Sequence, residues 1–144
     1  MVSASLHADK QDNTISMVWY DPFRNSGSYF HQFPEGDHEW SEILDGKVFF
    51  EFDKHVDIVC SNPPYSCLNQ VLVKSVELKP LIISFLVGMH NLTTKRIEFM
   101  NSHGYYMEKL HMCKIHNWYG MSFIIQFRLG VGENCMSYNR VYWK

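Results

Sequence analysis

The chain has 144 residues, of which 46% are hydrophobic and 19% are charged, so it is long enough to form one domain with a hydrophobic core. Its formal net charge of −2 argues against binding nucleic acid through an overall basic surface, but it is compatible with a nucleic-acid enzyme that has a local basic strip. The eight Tyr, ten Phe and four Trp are more aromatic residues than the core needs, which predicts that some line a groove or pocket.

The four cysteines and eight histidines show no spacing typical of a metal site or a disulfide framework, and we expect no bound metal. The longest apolar run, residues 81–89, is too short to cross a bilayer, and the N-terminus lacks the pattern of a signal peptide. These features predict an intracellular protein, in the cytoplasm or the nucleus, with reduced cysteines and no membrane association.

The N-terminal half of the chain alternates short apolar segments with turns. Residues 1–15 are polar and predict a flexible N-terminal arm, followed by a single domain over residues 16–144. A Gly/Ser turn leads into a short helical segment before Pro34, and "DGKVFFEF" predicts a turn with an aromatic extended piece. Three short strands are predicted, at "ISMVWYDPF", "HEWSEI" and "VDIVCS".

The C-terminal half predicts longer elements. The segment "SCLNQVLVKSVEL" has apolar residues at helical spacing, with Ser66 as its N-cap. A second helix is predicted over "TTKRIEFMNSHG", between a threonine N-cap and Gly104. The remaining strands are predicted at "LIISFLVGM", "YYMEKLHMCKI" and "GMSFIIQFRLG", and the chain ends in an aromatic tail.

This order of elements predicts an α/β fold with a mostly parallel sheet, an antiparallel closing strand and helices on both faces. Ligands of such sheets bind at the carboxyl ends of the strands. Three chemically suggestive segments follow predicted strands: Asp21 to Phe23, Glu42, and Ser61 to Tyr65. Their common position predicts one site at that edge of the sheet.

Two of these segments suit a nucleoside ligand. The turn after Phe23 contains Asn25 and Gly27, which tolerate positive φ and so allow the backbone to approach a ligand closely. Glu42 would accept hydrogen bonds from ribose hydroxyls at the tip of the second strand. In isolation, the default interpretations are an ordinary strand-to-helix turn and a solvated surface glutamate.

The third segment, Asn62-Pro63-Pro64-Tyr65, has the most specific chemistry. An exocyclic amine on an aromatic ring is a poor nucleophile because its lone pair is delocalised. If the Asn62 side-chain oxygen and the Pro63 carbonyl accept its two N–H hydrogens, the nitrogen moves toward tetrahedral geometry and the lone pair is freed. The prolines would fix these acceptors in advance, and Tyr65 would stack on the ring.

The combination of "DPFRNSG" and "SNPPY" resembles the Rossmann-like, S-adenosylmethionine-dependent amino-methyltransferases, especially the adenine-N6 DNA methyltransferases. "SNPPY" matches their catalytic (D/N/S)-P-P-(Y/F/W) motif, and "DPFRNSG" resembles their first motif, D-P-F-x-G-x-G. The resemblance covers about residues 17–127 and is strongest to short phage and bacterial members. It implies methyl transfer from S-adenosylmethionine to adenine N6 in DNA. It also implies cofactor contacts from Asp21, Pro22, Phe23, Gly27 and Glu42, and acceptor contacts from Asn62, Pro63, Pro64 and Tyr65.

Two positions differ from the pattern of the short relatives. Asn25 stands where the first motif has glycine, and Val48 stands where "GKVFF" usually has an aspartate near the cofactor adenine. These differences favour an alternative of another class, a catalytically silent Rossmann-like binding subunit. A further alternative keeps the chemistry but uses an RNA base amine or a protein glutamine. Because the chain has no room for a target-recognition domain, the resemblance implies a nucleic-acid substrate read with a partner subunit, a homodimer or the aromatic tail.

Other candidate residues have structural interpretations of similar weight. Cys67 suits a small core position at a helix start better than a nucleophile, because no partner base is placed beside it in the sequence. Lys95 and Arg96 suit a solvated helix face slightly better than a phosphate contact. Trp118 and Tyr119 suit a base-stacking lip and core packing equally well.

Overall fold

The computed structural model of the protein describes residues 17–24, 27–42 and 48–141. The predicted N-terminal arm, residues 1–15, lies outside these ranges. The strands are β1 (Trp19–Asp21), β2 (His38–Trp40), β3 (Ile58–Ser61), β4 (Ile82–Gly88), β5 (Tyr105–Cys113) and β6 (Ser122–Leu129), and the α-helices are α1 (Leu68–Glu77) and α2 (Thr94–Ser102). Single 3-10 turns lie at Phe30–Gln32, Phe49–Glu51, Tyr65–Cys67 and Met89–Asn91.

The six strands form one sheet in the order β2-β1-β3-β4-β6-β5. Strands β1 to β4 pair in parallel with one another, whereas β6 pairs antiparallel with both β4 and β5. This arrangement confirms the predicted α/β fold with a mostly parallel sheet and an antiparallel closing strand. It also brings the carboxyl ends of β1, β3 and β4 to the same edge, because parallel neighbours point the same way.

Successive side chains of a strand point to opposite faces of the sheet, and both faces are buried. Tyr20 belongs to the larger cluster, on which α1 and α2 both pack, and Trp19 belongs to the smaller cluster on the opposite face. The Trp19 ring lies 5.1 Å from the Phe33 ring, centroid to centroid, next to the 3-10 turn Phe30–Gln32. In the described part of the chain, the face opposite α1 and α2 is therefore covered by a 3-10 turn, where the sequence predicted a helix.

Two local predictions differ from the structure. The aromatic extended piece in "DGKVFFEF" contains a 3-10 turn, in which Phe49 is buried in the core. Ser66 is not a helix N-cap, because another 3-10 turn, Tyr65–Cys67, comes between the prolines and α1. By contrast, α2 has the predicted threonine cap, since the Thr93 hydroxyl accepts a hydrogen bond from the Arg96 backbone N–H at 3.3 Å.

The segment after β6 covers the outer edge of β5. The Cys135 N–H donates to the Met107 carbonyl and the Met107 N–H donates to Asn134 Oδ1, both at 2.8 Å. The Asn134 amide also donates to Asn101 Oδ1, at 2.8 Å. This cover protects an edge strand that would otherwise present open hydrogen-bonding groups. In the described ranges, every helix is too short or too polar to cross a membrane.

Candidate cofactor and acceptor site

A cavity of about 520 Å³ opens at the carboxyl ends of β1, β3 and β4. Its volume is in the usual range for a site that binds a small molecule. It brings together seven of the nine residues that the sequence predicted for cofactor and acceptor binding. The lining residues are Pro22, Phe23, Glu42, Val48, Phe49, Phe50, Asn62, Pro63, Pro64, Tyr65, Cys67, Leu86, Ile115, Trp118 and Ser122.

One half of the cavity is aromatic, and among the described residues that line it Glu42 provides the carboxylate. Phe23, after β1, packs edge-on against Phe49, with ring centroids 5.3 Å apart. Phe49 is buried, whereas the Phe50 ring beside it is 46% exposed at the cavity wall. Glu42 follows β2 and is half-buried. An apolar wall with one acidic acceptor suits a nucleoside, whose base is planar and whose ribose carries hydroxyls.

Asp21 lies beneath the cavity wall, and it does not line the cavity. It is 1% exposed, and its Oδ1 accepts hydrogen bonds from the Ser61 hydroxyl at 2.5 Å and the Phe23 backbone N–H at 3.1 Å. Ser61 immediately precedes Asn62. The carboxyl group therefore ties the end of β1, which leads into the aromatic half, to the end of β3, which leads into the Asn-Pro-Pro-Tyr segment.

Burial raises the pKa of Asp21 above its ordinary value, and the hydrogen bond from Ser61 only partly offsets this effect. The second oxygen, Oδ2, is buried without a hydrogen-bond partner among the described residues. The Phe30 backbone N–H and the charge of the Arg24 guanidinium also lower the pKa of Asp21, but by less than burial raises it. Asp21 is thus a desolvated acid whose strongest link is the one to Ser61.

Gly27 also lies away from the cavity, and its backbone conformation explains the glycine. Its φ is +89°, and a Cβ built there would lie 2.5 Å from His31 Nε2. Its N–H donates to the Arg24 carbonyl at 2.7 Å, which closes the turn after β1. Asn25, the residue that differs from the motif, lies outside the described residues, as does its neighbour Ser26.

The Asn-Pro-Pro-Tyr segment forms the opposite wall. Asn62 is exposed, and its side-chain amide has no hydrogen-bond partner among the described residues. Pro63 is buried, and Pro64 is extended, with φ −67° and ψ 131°. The Tyr65 ring lies beside Gly88, where an added Cβ would be 3.6 Å from its Cε2. The segment therefore presents a free amide oxygen and a supported aromatic ring on a rigid backbone.

The rest of this half comes from residues that the sequence did not assign to the site. Leu86 and Ser122 come from β4 and β6, while Ile115 and Trp118 come from the loop between β5 and β6. Trp118 is 52% exposed, so core packing, one of its two predicted roles, is wrong. Cys67 is partly buried: it packs against the larger core cluster, as the predicted core position implies, and it also lines the cavity. Within the described ranges, no three His, Cys, Asp or Glu side chains are grouped as metal ligands.

Comparisons with known proteins support the fold but give no sequence family. No protein-family model matches the chain, and no curated protein matches it. Solved structures do match. M. capricolum TrmK, in complex with S-adenosyl-homocysteine, aligns with a TM-score of 0.62 and 10% identity over 86% of this chain and 67% of TrmK.

Two further structures align at a similar level. A candidate RNA methyltransferase from Pyrococcus horikoshii gives a TM-score of 0.59 and 16% identity, over 81% of this chain and 76% of that one. The second is Mtq2 of E. cuniculi, from the Mtq2–Trm112 complex that methylates the translation termination factor eRF1. It aligns with a TM-score of 0.58 and 14% identity, over 81% of this chain and 86% of that one. The chain therefore has the Rossmann-like fold of S-adenosylmethionine-dependent methyltransferases.

Proposed function

We propose that the protein is an S-adenosylmethionine-dependent methyltransferase that acts on an exocyclic amine, with adenine N6 in DNA as the acceptor. One observation carries the proposal. A single cavity holds the Asn62–Tyr65 segment on one wall, and the aromatic residues with Glu42 on the other. An acceptor amine and a nucleoside cofactor would meet in the space between these walls.

The residues present fit this cofactor. Phe23 and Phe50 provide an apolar wall for the adenine, and Glu42 provides an acceptor for the ribose hydroxyls. When bound, the cofactor supplies an electrophilic methyl group on a sulfonium centre. Val48 lines the same wall with an apolar side chain, so this position provides no hydrogen-bonding side chain for the adenine amine.

The acceptor side prepares the nucleophile. The Asn62 amide oxygen and the Pro63 carbonyl would accept the two amine hydrogens, and Tyr65 would stack on the acceptor ring. Because the prolines hold these groups before binding, little reorganisation is needed when the substrate arrives. A base within duplex DNA would have to be flipped out of the stack to enter the cavity.

The choice of DNA rests on the resemblance of the motifs. The fold is shared with a candidate RNA methyltransferase and with Mtq2, whose complex methylates a protein, so an RNA base amine and a protein glutamine amide are the competing acceptors. Mtq2 works with a second subunit, Trm112, which supports the expectation that this chain also recognises its target with a partner or as a homodimer. Label transfer to duplex DNA, single-stranded RNA and protein separates the three acceptors.

Titration calorimetry with S-adenosylmethionine and S-adenosyl-homocysteine tests the cofactor site. We expect saturable binding that Glu42→Gln weakens by about tenfold, because a neutral amide is a poorer acceptor for ribose hydroxyls than a carboxylate. Glu77→Gln is the matched control, since Glu77 is an exposed residue of α1 that does not line the cavity. If no binding is detected at millimolar cofactor, the proposal is contradicted. The remaining interpretation is then the catalytically silent Rossmann-like binding subunit, the alternative that Val48 favours.

A further inference from the structure

Three loops at the carboxyl edge of the sheet contain no acidic residue. Taken with the ends of the elements that they join, they are residues 61–70 from β3 into α1, residues 86–97 from β4 into α2, and residues 111–122 from β5 into β6. The Met89 N–H donates to the Met121 carbonyl at 2.9 Å, so the second and third loops are directly joined. We call these three loops the acid-free rim. Their basic residues are Lys95, Arg96 and Lys114, with His90, His111 and His116.

The acid-free rim belongs to the positive part of a strongly polarised chain. Residues 1–57 contain eleven Asp and Glu against four Lys and Arg, whereas residues 58–144 contain four against nine. The formal charges of these parts are −7 and +5. In the described ranges, the first part keeps eight acidic and two basic residues and contains β1 and β2, which lie together at one side of the sheet. The charge of the described residues therefore changes sign across the sheet, with the candidate cavity at the border. The modest net charge of the whole chain hides this separation.

Two cationic side chains lie at the N-terminal end of α2, where the helix dipole disfavours positive charge. Lys95 and Arg96 occupy the first turn of α2, which has no acidic residue, although the N-terminal end of a helix attracts negative charge. Arg96 is fixed, because its Nε donates to Asn69 Oδ1 and its Nη1 to the Asn91 carbonyl, both at 2.8 Å. Lys95 is exposed and has no partner among the described residues. Two cations at this helix end are unfavourable unless an anion joins them.

Aromatic side chains project from the same rim. Tyr119 is 99% exposed, and Trp118 is 52% exposed at the cavity mouth. Their loop has a defined shape, since Lys114 Nζ donates to the Trp118 carbonyl and, at 3.1 Å, to the Gly120 carbonyl. Asn117 turns the loop with φ +60°. A rigid loop that exposes two adjacent aromatic rings is a costly arrangement in water and a suitable one for stacking on bases.

We propose that the acid-free rim docks a single strand of nucleic acid, which crosses from the α2 side over the β5–β6 loop and delivers its acceptor base to the cavity. This inference rests on the proposed function. Lys95 would contact a phosphate and Tyr119 would stack on a base next to the acceptor. Unpaired bases suit exposed aromatic rings because their faces are free, whereas an acidic peptide would satisfy the cations and leave Tyr119 in water.

Fluorescence anisotropy with a labelled single-stranded oligonucleotide of about 15 nucleotides tests the rim. Lys95→Glu should weaken binding about tenfold or more and reduce the dependence of affinity on salt, because a phosphate contact is lost. Tyr119→Ala should weaken binding by a similar factor without changing the salt dependence, because stacking is uncharged. Lys79→Glu is the matched control, since Lys79 is exposed in the turn between α1 and β4, at the opposite edge of the sheet.

The result separates this inference from the proposed function. If S-adenosyl-homocysteine does not bind but Lys95→Glu and Tyr119→Ala still weaken oligonucleotide binding, the rim is supported and the methyltransferase proposal fails. If the cofactor binds and the affinities of Lys95→Glu and Tyr119→Ala for the oligonucleotide are within twofold of that of Lys79→Glu, nucleic-acid docking on the rim is overturned and the methyltransferase proposal is not. Binding of an acidic peptide but of neither DNA nor RNA would overturn it too.

Discussion

The link between Asp21 and Ser61 joins the two walls of the cavity, and Ser61→Ala tests its strength. The hydroxyl and the carboxyl oxygen are 2.5 Å apart and both residues are at most 1% exposed, so water cannot replace the lost donor. Such a bond contributes about 1 kcal/mol with a neutral acceptor and up to about 3 kcal/mol with an ionised one. In a protein of about this size, that loss lowers the melting temperature by roughly 3–10 °C.

Two other buried serines are matched controls for this substitution. The Ser75 hydroxyl donates to the Val71 carbonyl at 2.7 Å, within α1, and Ala is the better helix former there. Ser84 is 1% exposed, and its Oγ has no hydrogen-bond partner among the described residues. Ser75→Ala and Ser84→Ala should therefore change stability by less than about 0.5 kcal/mol or increase it.

The assay is thermal and urea unfolding of the three alanine variants beside the unmodified protein at pH 7. The expected order is a clear loss for Ser61→Ala and little change for the other two. An equal loss in all three variants would refute the reasoning, because it would mean that removing any buried hydroxyl costs the same, whatever its acceptor.

Three further predictions concern the cofactor side. Asp21→Asn should raise stability at neutral pH. Burial raises the pKa of Asp21 in the folded protein above its value of 3.8 in the unfolded chain, so the stability of the unmodified protein falls as pH rises above 3.8. The difference in melting temperature between Asp21→Asn and the unmodified protein should disappear below about pH 3.8, where Asp21 is protonated in both the folded and the unfolded state. A difference that stays the same at every pH would contradict the prediction. Gly27→Ala should lower the free energy of unfolding by at least about 1–2 kcal/mol, because φ is +89° and the new Cβ meets His31; urea titration measures this, and an unchanged midpoint would contradict the turn geometry. Val48→Asp should tighten cofactor binding about tenfold in calorimetry by providing an acceptor for the adenine amine, and unchanged affinity would show that this wall does not contact adenine.

Local patterns were sufficient to predict the sheet. Short apolar runs ending at Asp21 and Ser61 predicted strands of a parallel sheet, and the same ends predicted where a site would lie. The Asn62–Tyr65 segment could be assigned to the cavity because its two prolines and its position after a strand restrict it strongly. A threonine N-cap, at Thr93 or Thr94, could be predicted because both residues directly precede a helical pattern, and the structure has the cap at Thr93.

The remaining parts of the site depend on contacts that no local pattern contains. Trp118 reaches the cavity because β6 pairs between β4 and β5, which brings a loop from far along the chain to the cavity that Tyr65 also lines. The hydrogen bond from Ser61 to Asp21 had no local signal, since it joins two residues that are 40 positions apart in the chain. Ser66 was predicted as a helix cap because serine favours that position, but the 3-10 turn after the prolines moves the start of α1 to Leu68.

Label transfer from methyl-labelled S-adenosylmethionine to adenine-containing DNA is the most direct test of the central claim. The unmodified protein should transfer label to adenine N6. Asn62→Ala should reduce the rate by about 100-fold or more while calorimetry shows unchanged cofactor affinity, because the variant removes one acceptor for the amine and leaves the aromatic wall intact. Transfer by Asn62→Ala at the unmodified rate would contradict the assignment of the Asn-Pro-Pro-Tyr segment as the acceptor site.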